Sequence, residues 1–200
     1  MREFYYNIQF KDDGSILTRV NNIAICLDEG VLSKILRVPR EGTRSVLGRT
    51  CSSEFASVIS KTPTTKVAGI YKKIMKSEYQ LVFEFINKVL LPRTEKRTVA
   101  TAADLFVMEM LCNFEALNLP GLMLEHIHKT VIERKGVHGM GYGYFLTEVF
   151  KHFQIPLSVG KMGTVKQTIS ESTLVECECI EGRGYPKSKM TQLIDDQDQL

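Results

Sequence analysis

Apolar residues recur every three or four positions through much of this chain, and the clearest run lies near its middle. Met75, Tyr79, Val82, Ile86 and Val89 step by four, three, four and three. That spacing puts them on one face of a helix, with Phe83 and Leu90 widening the stripe and Lys72, Lys73, Lys76, Glu84 and Lys88 mostly off it. Pro92 cannot continue the hydrogen-bond ladder, so the helix should end at Leu90 or Leu91. Pro92 to Thr98 (PRTEKRT) reads as a solvated turn. Thr98 and Thr101 both qualify as the N-cap of the next helix. Thr101 has Asp104 three residues on, a short acidic relative of the capping box. Leu105, Met108, Cys112 and Leu111 then supply an inward face. Two helices joined by a short polar turn predict an antiparallel αα-hairpin.

The same reading extends to both sides. Residues 1–10 are aromatic-rich and read as a short packing helix. ILTRV (16–20) and IAICL (23–27) are β-prone runs separated by Asn21-Asn22, a pair that tolerates positive φ, and they predict a hairpin. Asp28 caps a helix holding Val31, Leu32, Ile35 and Leu36, which Pro39 should stop. Arg40 to Thr65 shows little pattern and reads either as an irregular excursion or as holding one short helix near Ser53 to Ser60. A third long helix starts at Asn118-Leu119-Pro120 and carries Leu119, Met123, Ile127 and Val131 on one face, with Gly136 as its stop. GVHGMGYGYF (136–145) reads as a tight turn before a fourth, Tyr142 to Phe153, closed by Pro156. From Ser158 the periodicity fades, and TLVECECI (173–180) alternates enough for one isolated strand. The predicted fold is mainly α: a bundle of about four to six helices with a small N-terminal β-hairpin. Residues 1–157 form the domain and residues 158–200 a flexible, disordered or weakly docked tail.

Composition narrows the class. Two hundred residues, 44% hydrophobic and 24% charged, suit one sizeable soluble core. A net charge of +3 neither demands nor excludes nucleic acid. No run approaches the length of a membrane span, and MREFYYNIQF lacks the layout of a secretory signal. The five cysteines (Cys26, Cys51, Cys112, Cys177, Cys179) show no framework spacing. Together these predict reduced thiols in an intracellular protein, nuclear or cytoplasmic, away from membranes.

Candidate chemistry is sparse. No nucleophile elbow or P-loop ending is present. His126 and His128 stand two apart on a helix and point in different directions, so they cannot share one ion. Cys177 and Cys179 lack a matching pair of ligands. Asp104, Glu109, Glu115 and Glu125 fall on amphipathic helices, where acids face solvent. With no catalytic constellation visible, the expectation leans to a non-catalytic protein with no catalytic residues, cofactor or metal. The candidate contacts are basic: Lys88, Arg93, Lys96 and Arg97 on and beside the central turn form a candidate phosphate-contacting knob. The competing reading is a solvated loop, whose field Glu95 weakens. Arg40, Arg44 and Arg49 pose the same choice, and no aromatic interleaves them for base stacking.

Several segments resemble, in order and wording, a family of plant transposon proteins found in and around transposable elements. They are Arg2-Glu3-Phe4-Tyr5 with the Gly14 turn, Asn87 to Thr94 (NKVLLPRT), the helix Ala100 to Glu109, and Gly141 to Phe145 (GYGYF). The resemblance covers roughly residues 1–155, and none of its motifs has a known chemical role. It implies a transposable-element-derived, non-catalytic module that binds a protein partner or itself, or binds nucleic acid weakly. The alternatives are a degenerate transposase or nuclease domain and a capsid-like assembly domain of a retroelement.

Overall fold

The N-terminal aromatics form α1 (Arg2–Tyr6), which buries Phe4 and Tyr5. The computed structural model describes residues 2–93, 97–132, 141–157, 169–177 and 179. Beyond α1, β1 (Gln9–Phe10), β2 (Ile16–Val20) and β3 (Ile23–Leu27) make an antiparallel sheet in the order β1-β2-β3. Asn21 and Asn22 sit at φ 48° and 64°, the paired left-handed conformations of a tight hairpin turn, so Val20 pairs with Ile23. Alternation turns Ile16, Thr18, Val20, Ile25 and Leu27 inward. The buried Thr18 hydroxyl donates to the Phe4 carbonyl at 2.7 Å, satisfying itself while fixing α1 to the sheet.

The helices follow. Asp28 accepts from the Val31 N–H at 2.8 Å and starts α2 (Glu29–Leu36). α3 (Ser53–Ile59) starts at Ser52. α4 (Ser77–Phe85) runs into a π-helical turn, Ile86–Leu90. β4 (Ile70–Tyr71) pairs antiparallel with β5 (Val99–Ala100), tying the segment before α4 to the segment that leads into α5. α5 (Ala102–Cys112), α6 (Leu119–Ile132), α7 (Gly143–His152) and α8 (Glu171–Glu176) complete the order.

The buried residues form two clusters. In the first, α3, α4, the π turn and α5 pack Ala56, Ile59, Phe83, Ile86, Leu105 and Met108 together. In the second, α1, the sheet, α2, α6 and α7 pack Phe4, Ile25, Leu32, Ile127 and Val149. Tyrosine hydroxyls join them. Tyr142 donates to the Leu90 carbonyl at 2.7 Å, and Tyr5 to the Gly141 carbonyl at 2.9 Å. A buried phenol needs such a partner, and burial raises both tyrosine pKa values above their ordinary range.

The mainly helical expectation and the hairpin agree with this architecture, but three details differ. The described residues hold eight α-helices rather than four to six: the short α1 and α3, expected as single helices, stand beside α8, where alternation predicts a strand. The hairpin gains a third strand of two residues, β1. The first half of the segment read as an isolated strand, 173–176, belongs instead to the helix α8. Its apparent alternation hides Thr173 and Cys177, four apart and both buried on one helical face. That part of the expected tail is docked: Lys88 Nζ donates to the Thr173 hydroxyl at 3.1 Å. Gly136 and most of the glycine-rich turn lie outside the described residues, as does the greater part of 158–200. Among the described residues no helix is long and apolar enough to cross a membrane.

Candidate functional site

Where the two clusters meet, a cleft of about 450 Å³ opens. Its size falls within the range of small-ligand and side-chain pockets. Four segments build it: the loop Val46 to Thr50, the strip Leu91-Pro92-Arg93, the start of α5 (Thr101 to Asp104), and the stretch of α6 from Glu125 to Thr130.

The strip is placed by the π turn. The Leu91 N–H reaches five residues back to the Ile86 carbonyl at 2.8 Å, and the extra residue buries Ile86, Asn87 and Leu90 together. Pro92 then ends the ladder, and Arg93 turns over the Phe83 ring, 5.9 Å from its centroid. The Arg93 guanidinium donates to Asp104 at 2.8 Å and to the Val99 carbonyl at 2.8 Å.

Asp104 has a second task. Thr101 and Asp104 form the capping box of α5, the Thr101 N–H donating to the carboxylate at 2.7 Å and its hydroxyl at 2.8 Å. The loop wall is also held by acids. Glu125 accepts from the Ser45 hydroxyl and from the Val46 N–H at 3.0 Å. Glu109 accepts from the Ser52 N–H at 2.9 Å. These carboxylates are structural acceptors, each aimed at a different element, and the described residues hold no cluster of three or more His, Cys, Asp or Glu placed to share a metal ion.

Two cations at the cleft are left without an acid. Arg49 is exposed, stacked 5.9 Å from the Phe106 centroid, and Lys129 is exposed on α6. Neither has an acidic partner among the described residues. The interior is apolar: Val46, Leu47, Leu91, Pro92, Ala102 and Ala103. His126 lies against the Tyr142 ring, edge-on at 5.5 Å. Burial, helped by the nearby charges of Lys129 and Arg93, pushes its pKa down to about 4.

That depression makes a pH prediction. An unfolded histidine near 6.5 takes up its proton before the folded one does, so stability is full above pH 6.5 and falls as pH drops towards 4. At about 1.4 kcal/mol per unit the loss is on the order of 3 kcal/mol. The difference in urea unfolding between wild type and His126→Phe, followed from pH 7.5 to 4, isolates it from the carboxylates. Parallel curves would show that His126 does not contribute.

The sequence-predicted contacts separate in space. Lys88 leaves the cleft and lies under α8, 3.1 Å from Glu84, with Lys72 on the other oxygen of the same carboxylate at 2.8 Å. Burial of this trio works against its charges. The ion pairs outweigh it, raising the Lys72 pKa and lowering that of Glu84. Arg93 lines the cleft but is paired with Asp104. Arg97 Nε donates to the Arg93 carbonyl at 2.6 Å, and Lys96 lies outside the described residues. Arg44, from the other basic group, pairs with Glu29. Periodicity missed Lys129 and Glu125, which read as ordinary polar positions of α6.

No protein-family model matches the chain, and neither does any curated protein or any solved structure.

Proposed function

We propose that this chain is a non-catalytic protein-interaction module of transposable-element origin, and that the cleft receives an apolar side chain flanked by acidic residues. One observation carries this reading: an apolar-lined cleft with acids already committed to the fold, and with Arg49 and Lys129 left uncompensated. The segments that resemble the plant transposon proteins converge on the same place. Arg93 and the π turn come from NKVLLPRT, and Asp104 from the Ala100 to Glu109 stretch. Tyr142 comes from GYGYF, and Tyr5 hydrogen-bonds beside it. The transposable-element reading rests on the resemblance of these segments, and the separate duties of Asp104, Glu109 and Glu125 weigh against a nuclease.

The test is amide-shift mapping with short peptides. Gly-Asp-Phe-Asp-Gly should perturb Val46 to Thr50 and Thr101 to Asp104. The Phe→Ala peptide should bind about tenfold more weakly, and Gly-Lys-Phe-Lys-Gly not at all. Equal response to all three would sink the proposal.

A second reading, weak nucleic-acid binding, rests on the same two free cations. Two phosphate contacts on a single strand predict a slope of only about −1.4 in log affinity against log salt. Titration of a single-stranded oligonucleotide from 50 to 200 mM salt measures it, and a much steeper slope would move the interface elsewhere.

A further inference from the structure

The turn between α5 and α6 carries a feature that its own fold does not use. α5 ends with the Phe114 N–H on the Leu111 carbonyl at 3.2 Å and the Glu115 N–H on the Met110 carbonyl at 2.9 Å. This is the bonding of a Schellman end, in which the left-handed position belongs to glycine. Here a phenylalanine occupies it, at φ 56°. Its ring is 96% exposed, so it returns nothing to the core. Glu115, next to it, is exposed and has no basic partner among the described residues. The result is a protruding aromatic beside a carboxylate that takes only a long hydrogen bond, 3.4 Å, from the Asn113 side chain. The cleft offers the complement: an apolar interior larger than a phenyl ring, with Arg49 and Lys129 at its mouth.

We propose that the cleft of one copy of this chain receives the α5–α6 turn of another, Phe114 entering the apolar lining and Glu115 lying between Arg49 and Lys129. The inference rests on the reading of the cleft as a protein-binding site and names its occupant. A chain cannot fill its own cleft this way. Turn and cleft stand at opposite ends of α5, whose eleven residues span about 16 Å, and the exposure of Phe114 shows it seated on nothing. Because donor and acceptor surfaces differ, the contact is head-to-tail. It leaves one free turn and one free cleft on every open assembly, and builds chains, or rings in which those two ends meet, rather than two-fold dimers. A single turn in a cleft buries less than a standard interface, so association is weak and concentration-dependent.

Sedimentation equilibrium over a concentration series tests this with exposed residues, whose replacement spares the fold. The mass of the wild type should rise with concentration. Phe114→Ala, Glu115→Lys and the double variant Arg49→Glu/Lys129→Glu should each remain monomeric at concentrations where the wild type associates. Mixing Phe114→Ala with Arg49→Glu/Lys129→Glu should give a capped 1:1 dimer, since only the turn of the second and the cleft of the first are intact. Glu115→Lys joined to Arg49→Glu/Lys129→Glu in one chain restores opposite charges. The triple variant should self-associate again. Phe114→Gly should lose association while gaining about 1 kcal/mol of stability from the relieved backbone, which separates a binding role from a structural one. A wild type that stays monomeric, oligomers indifferent to these changes, or a mixture that yields no dimer would overturn the proposal. If the wild type is monomeric yet the acidic-aromatic peptide still maps to the cleft, the occupant is another protein and only the self-association falls. If neither peptide nor second copy binds there, both readings fall.

Discussion

Replacing Asp104 with alanine should lower the free energy of unfolding by about 3 kcal/mol, at the low end of what breaking a buried ion pair costs. The side chain is only 2% exposed, and one oxygen takes Arg93 at 2.8 Å, the Thr101 N–H at 2.7 Å and the Thr101 hydroxyl at 2.8 Å. Alanine removes the Asp104 half of the capping box, leaving only the Thr101 hydroxyl on the residue-104 N–H, and strands a guanidinium, itself only 21% exposed, without an anion. The Arg93 Nε already has no acceptor among the described residues, so the charge has little local compensation to fall back on. Partial exposure of Arg93 sets the lower figure, because water relieves some of the stranded charge. Asp104→Asn keeps an acceptor for Thr101 and should lose roughly half as much. Guanidinium melts would read both as a shift in midpoint with unchanged slope. A loss under about 1 kcal/mol for alanine would mean that Arg93 finds another partner and that the cleft floor is less dependent on this pair than the geometry implies.

Gly42→Ala should be comparably damaging, although nothing chemical happens at Gly42. Its φ is +93°, and an added Cβ would lie 2.1 Å from the Ala116 carbonyl oxygen and 2.3 Å from its carbon. Those are backbone atoms and cannot rotate away. Relief requires separating two strands of chain joined by Thr43 N–H to Ala116 carbonyl at 2.9 Å and Asn118 N–H to Thr43 carbonyl at 3.0 Å. Two backbone hydrogen bonds and the strain of a left-handed alanine together cost about 3 kcal/mol. For a chain of this size that corresponds to a fall in Tm of roughly 10 °C. Gly48 makes the control: it has φ +66° with no atom within 4 Å of the added carbon, so Gly48→Ala should cost only about 1 kcal/mol. Equal shifts at the two positions would locate the penalty in φ alone rather than in the clasp. The clasp ties the loop leading to the cleft wall to the turn that carries Phe114.

The geometry explains why a basic cluster in sequence is not a basic surface in space. Arg93 and Lys88 are five residues apart, yet the π turn between them sends one into the cleft and the other beneath α8. In each case a carboxylate meets the charge, Asp104 or Glu84. The cations that remain available, Arg49 and Lys129, come from two separate regions of the chain and approach each other only when α6 packs beside the loop that Glu125 holds.

Local rules were enough for much of the architecture. The Asn21-Asn22 hairpin, the Asp28 cap, the Thr101–Asp104 capping box, the short helix near Ser53 and the amphipathic faces of α6 and α7 were legible, because each is decided by residues within a few positions of one another. The inward face read for α5 missed the buried Val107, Met110 and Asp104, since α5 is enclosed on more than one side. What depended on partners distant in the chain was not legible. The two-residue strands β1, β4 and β5 exist only through their pairing, and α8 takes its place through Thr173 and Cys177 against α4 and the π turn. The cleft is wholly of this second kind. Its lining is drawn from four segments up to eighty positions apart, and whether a carboxylate there serves as structure or stays free for a partner is decided by which N–H or guanidinium packing brings within 3 Å.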